Sequence, residues 1–292
     1  MRKLTLAASI ASIFVGFSAW ALTPSIPSSE LPSLTQEPQH KVASKRVTGL
    51  FTRAHYHRFD LDDAFSEQVF ERYLKQLDYR RNVLLQSDID SFKQYSNQFD
   101  DMLKSGDLAP AYKMFDLVQQ RRYDRFAYAL SLLDEEMDFN LPGDSYQYDR
   151  EDAAWPKDEA EVNELWRQRV KYDALNLKLT GKNWDEIVEV LEKRYNNAIK
   201  RLIQTKSEDV FQGVMNAFSR SVEPHTSYLS PRNAERFQME MNLSLEGIGA
   251  VLQMDDDYTV TAAFEADPWL QYPFRKDPFQ VLRRPADSGA AQ

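Results

Sequence analysis

The chain has 292 residues, of which 42% are hydrophobic and 28% charged, so it can bury one large or two modest cores and is not disordered as a whole. Its net charge of -9 argues against nucleic acid as a partner, because that binding needs a basic face. The sequence has no cysteine and four histidines, which excludes disulfides and thiol nucleophiles and disfavours a metal site. We expect no cofactor and no metal.

The first 21 residues are predicted to be a secretory signal peptide. Arg2 and Lys3 precede an apolar run from Leu4 to Phe17, and Ala19-Trp20-Ala21 forms a small-x-small cleavage signature. An uncleaved membrane anchor is the alternative, but the run is shorter than the roughly 20 apolar residues that a span needs. We therefore predict cleavage, no membrane span afterwards, and a periplasmic location.

Residues 22–39 form a leader rich in proline and serine. Its prolines are Pro24, Pro27, Pro32 and Pro38. Proline lacks a backbone N–H group and prevents a regular helix interior. The leader is expected to be extended and mobile.

A helical pattern runs from about Ser44 to Asp138. A largely buried helix carries the apolar residues Phe65, Val69, Phe70, Tyr73, Leu74 and Leu77. A second helix is predicted over 87–104, ended by Gly106, and a third over 107–135 with Pro110 in its first turn. These three helices predict an antiparallel bundle.

Residues 138–156 show neither helical nor strand periodicity and are predicted to form a loop. A helix is then predicted over 158–179, stopped by Gly181, and the clearest amphipathic pattern follows from Trp184 to Leu202. Asn183 is its expected N-cap, with Glu186 completing a capping box. Further helices are expected from Ser207, acting as N-cap, to Pro224, and over 233–241.

The pattern changes to strands near Leu243. Apolar runs on either side of Asp255-Asp256-Asp257 predict a strand pair that ends at about Val260. Residues 261–292 contain four prolines and no sustained alternation, so we expect them not to complete a sheet.

The candidate binding site lies where the strands begin. Gly247, Ile248, Gly249 and Ala250 can form a loop whose successive N–H groups bind a carboxylate, followed by a strand containing Leu252. A free strand edge can then add an extended peptide, so the combination suits the capture of a protein C-terminus. A tight turn without a ligand is the alternative for an isolated Gly-x-Gly.

Three other motifs are interpreted as structural. His225 and Ser227 are near neighbours in one extended segment, whereas a catalytic pair normally comes from separate parts of a fold. His55-x-His57 lacks further ligands in evident reach. The segment 121–126, which mixes arginine with aromatic residues, is expected to be a solvated helix face with tucked rings.

Several stretches in order resemble one family. They are Arg46-Val47-Thr48, Phe51-Thr52-Arg53, Leu77-Asp78-Tyr79, Leu84-Leu85-Gln86-Ser87-Asp88, Trp155-Pro156-Lys157, residues 177–182, residues 224–231 and residues 244–252. Over residues 40–260 the chain resembles the bacterial tail-specific proteases, also called C-terminal processing peptidases. The resemblance implies a mainly α fold, with a multi-helix domain over 40–240 followed by the first strands of an incomplete PDZ module over 243–260.

The resemblance also implies a function. The family hydrolyses proteins that present apolar C-termini, some members with a lipoprotein adaptor, and it uses a serine and a lysine in a later domain. No position here matches that dyad, so no residue is assigned as catalytic, and 261–292 are interpreted as a divergent, out-of-frame tail. We expect a noncatalytic N-terminal region with a poorly functional Gly247–Ala250 loop. The alternative is a stand-alone periplasmic helical binding or scaffold protein.

Overall fold

The computed structural model describes residues 22–140, 144–242, 250–255 and 258–264. Within them the chain divides into two compact units, with the boundary after Tyr228. The predicted signal peptide and residues 265–292 lie outside the described residues.

The first unit is helical, which confirms the mainly α prediction. Its helices are α1 (Pro38–Ala54), α2 (Asp63–Leu77), α3 (Gln86–Phe92), α4 (Phe99–Ser105), α5 (Ala109–Ser131), α6 (Glu159–Leu179), α7 (Trp184–Ile203) and α8 (Ser207–Val222). The second unit contains α9 (Pro231–Asn242), β1 (Ala250–Asp255) and β2 (Tyr258–Phe264). No helix within 22–140 and 144–242 is both long enough and apolar enough to cross a bilayer.

Two hydrophobic cores organise the helical unit. The first core is built mainly from α2, α3, α4, α8 and the first half of α5; its fully buried large side chains include Tyr73, Phe99, Phe211 and Phe218. The second core is built from the second half of α5 with α6 and α7; its fully buried large side chains include Trp166, Tyr195 and Leu191. Helix α5 therefore contributes to both cores.

Side-chain caps define the start of the long helices of the second core. Asp158 accepts from Glu161 N at 2.9 Å before α6. Asn183 Oδ1 accepts from Glu186 N at 3.0 Å, and Glu186 Oε2 accepts from Asn183 N at 2.9 Å. The predicted capping box of α7 is confirmed, and it satisfies two N–H groups that the helix itself cannot pair.

The predicted cap of α8 is wrong by one residue. Lys206 is the N-cap, and Asp209 Oδ2 accepts from Lys206 N at 2.9 Å. Ser207 is instead the first helical residue, and its hydroxyl donates to Thr35 O. The hydroxyl is used by a distant segment rather than by the helix.

The single helix predicted over 87–104 is also wrong. The chain forms α3, a short 3-10 turn (Lys93–Tyr95) and α4. Ser66 of α2 holds the break, because its Oγ donates to Ser96 O at 2.9 Å and accepts from Phe99 N at 2.6 Å. The stop at Gly106 is confirmed: its φ is 69°, and a Cβ there would lie 2.5 Å from Lys41 O.

A tight turn follows α2. The carboxylate of Asp78 is buried and accepts from the backbone N–H groups of Asn82, Val83 and Leu84 at 3.0 to 3.1 Å. Asn82 O in turn accepts from Trp166 Nε1 at 2.6 Å. The turn therefore connects the first core to the largest side chain of the second.

The leader contacts both cores over residues 22–37, so the prediction of a mobile segment is wrong there. Leu34 is buried in the first core, while Leu22, Ile26 and Leu31 pack on the second. Gln36 donates to Gly106 O at 2.7 Å and accepts from Leu108 N at 2.8 Å. Helix α1 then begins at Pro38, where proline's fixed φ is favourable.

Candidate peptide-binding edge

The strands of the second unit form an antiparallel hairpin. Ala250 pairs with Phe264, Leu252 with Thr261 and Asp255 with Tyr258, with an irregularity in register between Val251 and Leu252. Of the acidic residues predicted to form the turn, Asp255 is the last residue of β1, and residues 256–257 lie outside the described residues. Strand β2 reaches Phe264, so it extends past the predicted end at Val260 and includes the first residues of the segment expected not to join a sheet.

One edge of β1 is unpaired within the described two-stranded sheet, because β2 occupies its other edge. Such an edge presents N–H and C=O groups that an extended peptide can bind. Of the predicted site residues, Ala250 opens β1 and Leu252 lies within it. Gly247, Ile248 and Gly249 lie outside the described residues, so the carboxylate-binding loop stays a prediction.

The segment after α8 brings a carboxylate and an imidazole together. His225 Nδ1 lies 2.6 Å from Glu223 Oε1, and the histidine side chain is 92% exposed. This hydrogen bond is the main cause that lowers the pKa of Glu223. Ser227 Oγ instead accepts from Arg220 Nε at 3.3 Å. The serine and the histidine are thus engaged by different partners.

His55 and His57 form a local backbone contact. His57 N donates to His55 Nδ1 at 3.1 Å, which occupies one of the two ring nitrogens that could bind a metal. Within the described ranges, no three His, Asp or Glu side chains are grouped as they would be around a metal ion.

The arginines of residues 121–126 bind neighbouring elements. Arg121 holds the Asp88 carboxylate with two bonds of 3.0 and 2.9 Å. Arg125 donates to Glu159 at 2.8 Å and to Asn163 at 2.5 Å, and it is only 5% exposed. The prediction of a solvated face is therefore wrong for Arg125, which joins α5 to α6.

A buried polar network around His40 was not indicated by the sequence. The ring is 1% exposed and stacks on Phe211, with centroids 4.5 Å apart. His40 Nδ1 accepts from Glu37 N at 3.3 Å, so Nε2 carries the proton and donates to Glu208 Oε2 at 2.8 Å. Helix α1 is thereby bound to α8.

Tyr112 completes this network from α5. Its hydroxyl lies 3.1 Å from His40 Nδ1 and donates to Ser207 O at 2.9 Å. Burial raises the pKa of Tyr112 to about 12, so the hydroxyl stays protonated at neutral pH. Its proton is donated to the backbone carbonyl of Ser207. The side chains of His40, Tyr112 and Glu208 therefore hold α1, α5 and α8 together. Only the fold reveals this network, because Tyr112 and Glu208 are 72 and 168 residues from His40.

The profile of the family described as the tail specific protease N-terminal domain matches residues 47–232. The chain belongs to this family. A tail-specific protease from Haemophilus influenzae is 50% identical to it over 242 residues, which are 82% of this chain and 34% of that protein. The chain thus spans about a third of the length of this curated relative. The family suggested by the sequence motifs is confirmed.

Proposed function

We propose that this chain is the noncatalytic N-terminal region of an exported tail-specific serine endopeptidase. The whole endopeptidase acts in the periplasm on proteins with apolar C-termini, and a lipoprotein adaptor is among its expected partners. The observation that carries the proposal is the unpaired edge of β1, which directly follows Gly247–Gly249 in a member of this family.

Two interactions would recognise a protein terminus at this edge. The N–H groups of the Gly247–Ala250 loop would bind the terminal carboxylate, and the last residues would pair with β1 as an added strand. Main-chain bonds to β1 are independent of side chains, so selectivity for apolar termini requires a pocket beside the strand. The described part of the hairpin has two strands, which do not enclose a pocket by themselves. The pocket would therefore come from the later part of a PDZ module.

Proteolysis would come from a separate domain. Ser227 Oγ accepts a hydrogen bond from Arg220, and His225 Nδ1 bonds Glu223. The serine hydroxyl and the imidazole are therefore not bonded to each other through these atoms. A serine nucleophile needs a base within hydrogen-bond distance. This geometry supports a chain that does not itself cleave substrates.

The alternative, a stand-alone helical scaffold, draws support from exposed aromatic residues of the helical unit. Tyr79 is 51% exposed and Tyr148 is 58% exposed. A scaffold that uses this surface would bind its partner whether or not the partner's C-terminal carboxylate is free. The identity to a tail-specific protease over 82% of the chain favours the first proposal.

Fluorescence titration with a labelled peptide tests the recognition step. The peptide ends in apolar residues with a free carboxylate, and the control peptide is the same sequence with an amidated C-terminus. We expect no saturable micromolar binding to the present chain, and carboxylate-dependent binding once residues 243–260 continue into a complete PDZ module of the family. Failure of the completed protein to bind would overturn the proposed recognition. Tight carboxylate-dependent binding by the present chain would overturn the prediction that its PDZ module is incomplete.

Incubation with an unfolded protein that has an apolar C-terminus tests the noncatalytic part of the proposal. The present chain should leave this substrate intact in a gel assay. Cleavage above the buffer control that is lost in both Ser227→Ala and His225→Ala would contradict the proposal and assign catalysis to this segment.

A further inference from the structure

The first residues after the predicted signal peptide are fixed on the second core. Leu22 N lies 2.7 Å from Asp134 Oδ1. Asn196 Oδ1 accepts from Ser25 N at 2.9 Å and from Ser25 Oγ at 3.0 Å. Tyr123 OH donates to Ile26 O at 2.9 Å. The leader is therefore bound at its first residue and again three and four residues later.

We propose that signal-peptide cleavage after Ala21 creates an α-ammonium group on Leu22 that forms an ion pair with Asp134. The inference rests on the proposed export. A signal peptidase would add water across the amide bond between the two residues: Ala21 keeps the new carboxylate, and Leu22 keeps the amine. An α-amino group has an ordinary pKa of about 7.7 to 8.0, so the amine takes up a proton at neutral pH.

Cleavage changes the chemistry of this contact without moving the nitrogen atom. Before cleavage Leu22 N is a neutral amide with one hydrogen. Afterwards it is a cation with three hydrogens, so the attraction between two opposite charges is added to a hydrogen bond that already has a charged acceptor. The maturation step therefore strengthens a contact that the fold already places at hydrogen-bond distance.

The contact is specific for the position of cleavage. Adding or removing one residue displaces the terminal nitrogen by about 3.5 Å, which is more than the whole hydrogen-bond distance to Asp134. The signature Ala19-Trp20-Ala21 ends directly before the residue whose nitrogen is in position. The cleavage position predicted from the sequence thus places the new terminal nitrogen within hydrogen-bond distance of a carboxylate.

The ion pair would act as the outer anchor of the leader. Asp134 is exposed and Leu22 is half-buried, so solvent screens the pair and its contribution is modest. Loss of the anchor should free residues 22–25 first, while Ile26 and Leu31 remain packed on the second core. Local opening of the leader, rather than global unfolding, is the measurable consequence.

Intact mass of the protein purified from the periplasm establishes the first residue. Hydrogen exchange followed by mass spectrometry then compares the wild-type chain with Asp134→Asn and with the matched variant Glu135→Gln, an exposed neighbouring carboxylate. Exchange of leader amides should become about two- to five-fold faster in Asp134→Asn, the range for an exposed ion pair, and stay unchanged in Glu135→Gln. Selective acetylation of the α-amino group removes the charge but leaves one amide hydrogen, so it should reproduce part of the Asp134→Asn effect and reduce the further effect of that substitution.

The outcomes separate this inference from export. A mature form that begins elsewhere than Leu22, or a chain that retains residues 1–21 as a membrane anchor, overturns the ion pair and leaves export standing, whereas a chain found only in the cytoplasm overturns both. Equal exchange in the wild type and Asp134→Asn, with Leu22 as the first residue, overturns the ion pair alone. Additive effects of acetylation and Asp134→Asn also overturn it, because two partners of one contact cannot lose it twice.

Discussion

The two cores of the helical unit satisfy their backbone polar groups in different ways. In the second core, long helices pair their own N–H and C=O groups, and Asp158 and Asn183 cap the ends locally. In the first core, short helices meet at turns whose backbone groups bind buried side chains: Ser66 lies 33 residues before Phe99, whereas Asp78 lies in the turn itself. The first core thus relies on buried side chains to satisfy the backbone at its turns, whereas the helices of the second core begin at exposed caps.

This difference predicts which substitution is most damaging in each core. Removing a buried acceptor leaves donors without partners, and each unsatisfied buried group costs about 1 to 3 kcal/mol. Truncating a buried apolar side chain leaves a cavity. The resulting loss in the free energy of unfolding depends on how far the surrounding residues relax.

Asp78→Ala should be the most destabilising of the four substitutions. Three backbone N–H groups in the turn after α2 lose a charged acceptor, so we expect the free energy of unfolding to fall by about 3 to 6 kcal/mol. Urea unfolding measures the change. Asp90→Ala, which removes an exposed carboxylate paired with Lys93, serves as the control and should have little effect. Similar stability of the two variants would refute the special dependence of the first core on polar groups.

Leu191→Ala is the matching test in the second core. Leu191 is fully buried on α7, and its truncation should cost about 2 to 5 kcal/mol. Leu175→Ala on α6, where the side chain is 37% exposed, should cost about 1 kcal/mol or less. Thermal melts followed by circular dichroism compare the two. If Leu175→Ala proved as costly as Leu191→Ala, the assignment of the buried face would be wrong.

Ser66→Ala probes the break between α3 and α4. The substitution removes the acceptor of Phe99 N and the donor to Ser96 O, and we expect a loss of about 1 to 3 kcal/mol. The exposed Ser87 supplies the matched Ser87→Ala control. Hydrogen exchange should rise at residue 99 in the Ser66 variant only. Unchanged protection at that amide would mean that packing alone holds the break.

The smallest effect concerns the surface of α6 and depends on pH. Hydrogen bonds from Arg167, and then from Lys171, hold the pKa of Asp144 well below its usual range. A carboxyl group whose pKa is lower in the folded state adds stability above its unfolded pKa of about 3.9 and loses it as the pH falls further. Because Arg167 is 34% exposed, screening limits the contribution to about 1 kcal/mol or less.

Unfolding of wild type and Asp144→Asn at pH 6 and pH 3 measures this contribution. The stability difference between the two proteins should be present at pH 6 and shrink at pH 3, since the wild-type carboxylate becomes protonated in the unfolded chain. Asp152→Asn, an exposed carboxylate in the same loop, is the control. A difference that does not change with pH would exclude the Asp144 charge as its cause.

The same contrast explains what the sequence could predict. Helix α7 begins and ends where its pattern indicates, because Asn183 and Glu186 are neighbours in sequence and the apolar face repeats regularly. The single helix over 87–104 fails because Ser66, 30 residues before Ser96, holds a break that no local pattern contains. The extended leader was recognised from its prolines, but its docking depends on partners as distant as Asn196.

The candidate site shows a similar limit. The glycines and apolar alternation predicted a strand containing Leu252, and Leu252 lies in β1, whereas Ala250, which was assigned to the preceding loop, belongs to the strand as well. The end of the hairpin was misplaced, because Thr261 to Phe264 pair with β1 although they lack a sustained alternating pattern of their own. Pairing register is a property of two strands together, so one strand's composition does not fix its length.

The leader contacts also set an order of events during folding. Thr35 binds Ser207, and Ser25 binds Asn196, across 172 and 171 residues of sequence. A chain that is synthesised from its N-terminus presents the leader long before α7 and α8 exist. Contacts that close such long loops form slowly. The leader, although it precedes every helix of the unit in the sequence, is therefore among the last segments to reach its final position.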